Sequence, residues 1–410
     1  MAKDDFTFHH LETPEDIEEN LEIMRKVFGS NTGVDLFVKK LIYKNPRMKL
    51  ENYFVIKHRG KMVATLNLIP MEWKIDGVSL KVAEMGCVAT LESYRCQGLM
   101  RKLINEYHKA IADQWYDLSA IEGIPYFYRQ FGYEYTLPLD EETKISLEKL
   151  PQCTSEHVIR PFTDKDIPKA INLLSQAQEK FYVRSVRDEQ AWRMQQETRM
   201  ASEYGFEPYA VEKDGEMTAY FRISHKTQSK ELVLREISDT DYSTNNAVLG
   251  FIKGIGRKSG HETLVARTSY CDPLTRILVT LGAEQRIPPY AWQIKVTDYV
   301  NLLQKMKPIL EARIKSSEYR GLNEKINFNL WRYVVQIVFE NGEIASVQKL
   351  NIVEEYTVGA NPLVLMKLLL GYRSRQELES CYPDFYVRAK YKQLINVLFP
   401  QLPSYIHSAY

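Results

Sequence analysis

Residues Glu84–Asn105, EMGCVATLESYRCQGLMRKLIN, decide how the rest of the chain is read. Apolar Val82, Met85, Cys87 and Val88 make a short run that suits a buried strand. The chain then turns through Leu91 to Tyr94 into Arg95, Cys96, Gln97, Gly98, Leu99 and Met100. From there Leu99, Leu103, Tyr107 and Ile111 recur every fourth residue, which predicts an amphipathic helix beginning near Gly98. A strand, a glycine-bearing turn and a helix amino terminus leave backbone N–H groups unpaired and aimed at one spot, which suits phosphate. Glycine lets the anion approach the backbone, and Arg95 adds a fixed positive charge. An ordinary strand-to-helix crossover satisfies the same pattern, and neither the P-loop nor the paired-glycine dinucleotide pattern is met.

At 410 residues the chain is long for one domain, and two or three are expected. With 44% hydrophobic and 26% charged residues it can bury real cores. Fifty-four basic residues against fifty-three acidic ones leave a net charge of +1, so no bulk field recruits nucleic acid or anionic lipid. Five scattered cysteines fit reduced thiols better than a disulfide framework, and no Cys/His cluster has zinc spacing, so no metal is expected. No apolar run is long enough to span a bilayer, and MAKDDFTFHH lacks the apolar core of a signal peptide. The expectation is a cytoplasmic protein without a membrane span.

In chain order, residues 6–12 suit a strand. Thr13, Pro14 and Asp16 then supply an N-cap, a first-turn proline and an early acid for a helix that Gly29 stops. A second helix is predicted over 34–43, followed by strands at 53–57, 62–69 and 72–75. After the motif come a strand over 118–121 and a short helix near Tyr126. This first unit is placed at 1–148. From His157 the order restarts: strand, helix over 167–178, hairpin around Asp214-Gly215, strand over 232–237, helix, strand over 263–266, helix after Asp272. This second unit, 149–296, carries Asp239–Asn246 without glycine where the first has its phosphate turn, and Gly254 and Gly256 fall inside the following helix. A third unit, 297–410, changes character: a helix over 299–314, three strands with Asn341-Gly342 as a hairpin turn, then helices after Leu363, from the Ser374/Glu377 capping box, and over 387–398.

Arg95-x-x-Gly98 after a strand, followed by Phe127-Tyr128-Arg129-Gln130-Phe131-Gly132-Tyr133, resembles the GNAT superfamily of N-acetyltransferases. One departure is Met100, where that family often has a second small residue. The order of the third unit, with LLLGYRSRQEL and later LFPQLP, resembles the sterol carrier protein type 2 fold. Together the three parts resemble the enhanced-intracellular-survival (Eis) type acetyltransferases. The implied fold class is α/β (α+β): tandem GNAT acyl-CoA N-acyltransferase folds plus a carboxy-terminal sterol-carrier-like domain.

The resemblance implies acetyl-CoA as co-substrate and a primary amine as acceptor, either a small molecule such as an aminoglycoside or a lysine. It places Val88, Ala89, Thr90, Arg95, Cys96, Gln97, Gly98, Leu99, Met100, Arg101, Ile121 and Glu122 at the acetyl-CoA, with Val88–Thr90 pairing the pantetheine amides as a strand would. Its general acid falls on Tyr128, whose phenol carries a proton at neutral pH, with Tyr126 as a rival. Its base is the terminal carboxylate, here that of Tyr410, with Glu122 and His108 as alternatives. The seven residues after Pro403 reach at most about 25 Å, enough to bring the terminus into the first unit. The second unit then walls the acceptor site. Homo-oligomers are a family expectation. A long-chain acyl-CoA donor, or a lipid carrier whose first unit only senses CoA, are the competing readings.

Overall fold

The computed structural model describes residues 5–152, 156–199, 205–225 and 229–408, so Cys153, Ala409 and Tyr410 lie outside the described residues. The first part of the chain contributes β1 (Phe6–His10), β2 (Tyr53–His58), β3 (Lys61–Ile75), β4 (Val78–Thr90), β5 (Leu118–Ile121) and β6 (Glu134–Asp140). Its helices are α1 (Pro14–Phe28), α2 (Val34–Lys44) and α3 (Leu99–Asp113). Thr13 and Asp16 close a reciprocal capping box on α1, and Gly29 ends it at φ +94°. Ile17, Leu21 and Met24 recur at helical spacing and are buried against the sheet. β3 is one continuous strand through Pro70, where two strands were predicted. Pro70 stands opposite Ala83 in the β3–β4 register without interrupting it.

The next strands are β7 (Thr143–Ser146), β8 (Val158–Pro161), β9 (Val183–Ser185), β10 (Glu207–Lys213), β11 (Glu216–His225), β12 (Glu231–Ile237), β13 (Thr263–Ala266), β14 (Glu284–Gln285) and β15 (Tyr290–Val296). Between them lie α4 (Ile167–Gln178), α5 (Glu189–Thr198), α6 (Tyr242–Lys258) and α7 (Pro273–Thr280). The first sheet runs β1-β2-β3-β4-β5-β15-β6, with β9 on the far end of β3. The second, read from its other edge, runs β8-β10-β11-β12-β13-β7-β14, the same order with the same parallel pair at its centre. Each sheet therefore holds strand from across the boundary expected at 148, β7 in the second and β9 and β15 in the first. Thr143–Ser146 pairs with β13, and Tyr290–Val296 lies between β5 and β6.

The third sheet gathers Glu343–Leu350, Val334–Glu340, Glu324–Asn329, Val358–Gly359 and Tyr386–Val387. The long helix predicted over 299–314 is two, Tyr299–Lys305 and Lys307–Lys315, because Pro308 opens a new first turn. One apolar core joins this part to the α1/α2 face of the first sheet. Fully buried Asp117 reinforces the contact: it accepts from the Lys81 amide at 2.7 Å, Asn301 Nδ2 at 2.9 Å and Lys305 Nζ at 2.7 Å. Among the described residues no helix is long and apolar enough to cross a membrane.

Candidate active site

β4 and β5 pair in parallel only from Val82–Leu118 to Glu84–Ala120. Beyond Glu84 the backbone of β4 is displaced by a bulge opposite Thr65–Asn67, with Cys87 at φ +48°, so Val88 to Thr90 run on without β5 beside them. The turn that follows passes Cys96 at φ +61° and Gly98 at φ +77°, and α3 begins at Leu99 with no side-chain cap. Its first-turn amides at Leu99 to Arg101 have no intrahelical acceptor by geometry. A Cβ built at Gly98 would meet nothing within 4 Å, so the backbone there stands open to an approaching group. Underneath, Tyr107 Oη bonds the Ala83 carbonyl at 3.0 Å and Ser119 Oγ at 2.7 Å, which locks α3 onto the strand pair.

The turn opens into a groove of about 640 Å³ lined by Val88 and Thr90, by Arg95, Cys96, Gly98, Leu99, Met100 and Arg101, and on its far wall by Ile124, Phe127, Tyr128 and Phe131. Of the residues predicted to meet acetyl-CoA, eight line this groove. Ala89 faces the core beside β3, Gln97 is exposed, and Ile121 is buried under α3. Glu122 lines a different cavity instead. Arg101 bonds Gln130 and lies over the Phe131 ring, bridging the two walls.

Tyr128 sits in a single 3-10 turn, Phe127–Phe131, and is 5% exposed, whereas Tyr126 is 80% exposed. Burial pushes the Tyr128 phenol well above the usual range, and the Tyr290 phenol adds to this. The proton is thus held throughout the physiological range. His108 is half-buried on α3, stacked on Tyr133, and burial, with Lys295 nearby, pushes its pKa down to about 4.

β15 props the segment carrying Tyr128 at three points. Tyr290 Oη and Gln293 Nε2 donate to the Gly123 carbonyl at 2.5 and 2.9 Å, and Lys295 Nζ donates to the Phe131 carbonyl at 3.3 Å. None of these residues was singled out in the sequence. YAWQIKV reads as a strand, but nothing local says that it enters the first sheet.

The second sheet offers no equivalent of the open turn. α6 begins at Asp241, whose side chain accepts from the Thr244 amide at 2.7 Å, so a carboxylate occupies the place that Gly98 leaves open. Gly254 and Gly256 lie within α6.

The cavity holding Glu122 measures about 130 Å³. Met71, Leu139 and Trp292 wall it from the first sheet, Arg222, Arg235, Glu236 and Arg267 from the second, and Tyr405 to Ser408 from the chain's tail. This tail is docked: Ser404, Tyr405 and His407 are buried, and Tyr405 N donates to the Val183 carbonyl at 3.1 Å. Tyr410 itself lies outside the described residues. Cys87, Cys96, Cys271 and Cys381 form no disulfide among the described residues.

This architecture is a GNAT fold: an open glycine turn at a helix amino terminus beside a parting parallel strand pair. Residues 10–136 match the family described as acetyltransferase (GNAT) domain. Solved structures share the fold over 99% of this chain and 100% of theirs. They include a GCN5-related N-acetyltransferase from Anabaena variabilis (17% identity, TM-score 0.74) and a conserved protein of unknown function from Enterococcus faecalis, described as a probable N-acyltransferase (17%, 0.76). Eis1 from Mycobacterium abscessus also aligns over 99% of this chain and 100% of its own, at 11% identity and TM-score 0.65. No curated protein matches the sequence.

Proposed function

We propose that the protein is an acetyl-CoA-dependent N-acetyltransferase that moves acetyl directly from the thioester to a primary amine, of a small molecule or a lysine. One observation carries this reading: the open Gly98 turn and the protonated Tyr128 phenol share one groove. The residues fit the co-substrate: uncapped amides at Leu99–Arg101 and Arg95 suit the diphosphate, and the length of β4 that runs on beyond β5 suits the pantetheine amides. When bound, acetyl-CoA supplies an activated acetyl carbonyl and a thiolate leaving group.

An alkylammonium has a pKa near 10, so the acceptor nitrogen must lose a proton to attack. We assign that proton to the carboxylate of Tyr410, delivered by the tail. Tyr128 donates its phenolic proton to the sulfur as the C–S bond breaks. The products are the amide and free CoA: the first proton of the ammonium passes through the Tyr410 carboxylate to solvent, and the second, lost from nitrogen as the adduct collapses, restores the Tyr128 phenol. In this reading the second unit is a degenerate GNAT copy walling the acceptor site, and the third is a sterol-carrier-like domain delivering the tail. A cytoplasmic homo-oligomer is the accompanying expectation, and size-exclusion chromatography tests the oligomeric part.

Release of free thiol from acetyl-CoA across polyamines, aminoglycosides and lysine peptides is the direct assay. Release with none of them, together with co-purifying lipid, would point to a carrier. Stronger thermal stabilisation by long-chain acyl-CoA than by acetyl-CoA would replace the donor. Tyr128→Phe should cut turnover by about 100-fold and leave acetyl-CoA affinity unchanged, and unchanged turnover would remove the acid assignment.

A further inference from the structure

The cavity between the first two sheets has buried donors without acceptors. Two buried guanidiniums, Arg222 on its wall and Arg187 close by, share one carboxylate among the described residues, that of Glu236. Arg187 takes both oxygens, Nη1 to Oε1 at 2.8 Å and Nη2 to Oε2 at 2.7 Å, and Tyr220 Oη donates to Oε1 as well at 2.8 Å. The other edge of Arg187 faces the Ser408 carbonyl, Nη2 at 2.6 Å and Nε at 2.9 Å, beside Gln195 Nε2 at 3.1 Å. Arg222 is less well served. Its Nη1 donates to Gln195 Oε1 at 2.8 Å, but its Nε stands 3.6 Å from Glu236 Oε1 and has no hydrogen-bond acceptor among the described residues. The Trp192 and Phe206 rings, their centroids 4.3 and 4.2 Å from its guanidinium carbon, fix its plane.

From the first-sheet wall, Trp292 Nε1 is a second buried donor with no acceptor among the described residues. Buried donors left in this way are rare and mark a missing partner. The two guanidiniums also carry one positive charge more than Glu236 balances, and a buried surplus of charge is costly. A carboxylate removes both deficits: it brings one negative charge and two acceptor oxygens. The cavity, at about 130 Å³, far exceeds the roughly 15 Å³ that a single water needs. It also lies next to the proposed chemistry. Glu122 lines it, and Gly123, which follows, packs on the Tyr128 ring. Trp292 precedes Gln293, whose Nε2 donates to the Gly123 carbonyl.

We propose that the acceptor is a primary amine that also carries a carboxylate, an amino acid in the broad sense, and that Arg222 and Trp292 bind this carboxylate in the cavity between the sheets. The carboxylate does not react; the amino nitrogen takes the acetyl group. This rests on the reading of Tyr128 as the acid of acetyl transfer. Polycationic amines are correspondingly poor acceptors. The second sheet, which lacks the open turn, thereby gains a definite role, since β11 supplies Arg222, and α5 supplies the Trp192 and Gln195 that orient it.

The test measures free-thiol release from acetyl-CoA by the full chain with ω-amino acids, from glycine to ε-aminocaproate, each beside the alkylamine of the same length. At the best length, kcat/KM for the amino acid should exceed that for the alkylamine at least about 100-fold. Arg222→Gln should reduce this preference below about tenfold, and Arg222→Lys should keep part of it. Trp292→Phe, which keeps a ring and removes the donor, should reduce it about three- to tenfold and serves if the Arg222 variants do not fold. Calorimetry with glutarate, which has no amine, reads the site without the reaction: binding should weaken at least about tenfold in Arg222→Gln. Equal kcat/KM for amino acids and alkylamines overturns the proposal, as does a higher value for spermidine, or for aminoethyl phosphate than for β-alanine. An undiminished preference in both Arg222→Gln and Trp292→Phe overturns the location. Thiol release without glutarate binding removes this proposal and leaves the acetyltransferase reading intact. Arg222-dependent glutarate binding without thiol release from any amine removes that reading and the acceptor role with it, and keeps the carboxylate site alone.

Discussion

Gly123 lies so close to Tyr128 that a Cβ at Gly123 would stand 2.4 Å from both Cδ2 and Cε2 of the ring. The phenol is therefore held from below by bare backbone, and that backbone is held by Tyr290 and Gln293 of β15. Gly123→Ala must displace the ring, since Gln293 Nε2 closes the other side at 3.0 Å. Turnover should fall by about 10- to 100-fold, with acetyl-CoA affinity nearly unchanged in calorimetry. A wild-type kcat would mean that the position of the ring does not matter to the reaction.

Gly98→Val tests the open turn. A β-branched residue at φ +77° costs about 1–3 kcal/mol and its side chain would stand where a diphosphate approaches. The dissociation constant for acetyl-CoA should rise at least about tenfold. Gly254→Ala is the matched control, since it lies in α6 with nothing within 4 Å of the new methyl. Affinity should be retained there and stability should increase by about 1 kcal/mol.

Each chain should bind one acetyl-CoA. The Asp241 carboxylate caps α6 where Gly98 opens α3, and its negative charge opposes a diphosphate. Calorimetric stoichiometry near two would show that the second sheet has a competent site of its own.

Stability should fall between pH 7 and pH 5 through His407. Burial pushes its pKa down to about 4; Glu236 opposes this, while Arg187, Lys180 and Arg222 reinforce it. Folded protein then keeps the ring neutral, its Nδ1 against Gln178 Nε2 at 3.1 Å, while the unfolded chain takes up a proton below a pH of about 6.5. Because the unfolded state binds more protons in this window, this contribution is fully present above a pH of about 6.5 and is lost as pH falls toward 4. The loss is about 2 kcal/mol between pH 7 and pH 5. Urea unfolding of His407→Gln should lack that part of the slope. An identical slope in the variant would assign the pH dependence elsewhere.

Residues appended after Tyr410 should abolish turnover while moving the melting temperature by no more than a degree or two. They turn the Tyr410 carboxylate into a neutral peptide group and carry the free carboxylate to another place. Full activity in such a protein would remove the base assignment.

Much of the fold was legible because its signals are local. Thr13, Pro14 and Asp16 mark the start of α1, and the period of Leu99, Leu103, Tyr107 and Ile111 marks α3. Leu118–Ile121, Ile167–Gln178 and Thr263–Ala266 have the bounds that the pattern predicts. The turn at Gly98 was equally readable, since a left-handed cap before an apolar helix favours glycine. The strand β9, the helix α5 and the exchange of β7 and β15 were not. A three-residue strand has no period to read, and a strand's side-chain pattern is the same whichever sheet receives it.

The sequence by itself determined the elements around Gly98 and the placement of Tyr128 shortly after them, because turn geometry and helical periodicity are properties of neighbouring residues. Only the tertiary structure decided that Tyr290, Gln293 and Lys295 would brace the segment carrying Tyr128, and that Arg187 and Gln195 would hold the Ser408 carbonyl. Those partners are separated by well over a hundred residues, or by some two hundred for the tail. Their meeting depends on sheet pairing and on a shared core, which no local pattern encodes.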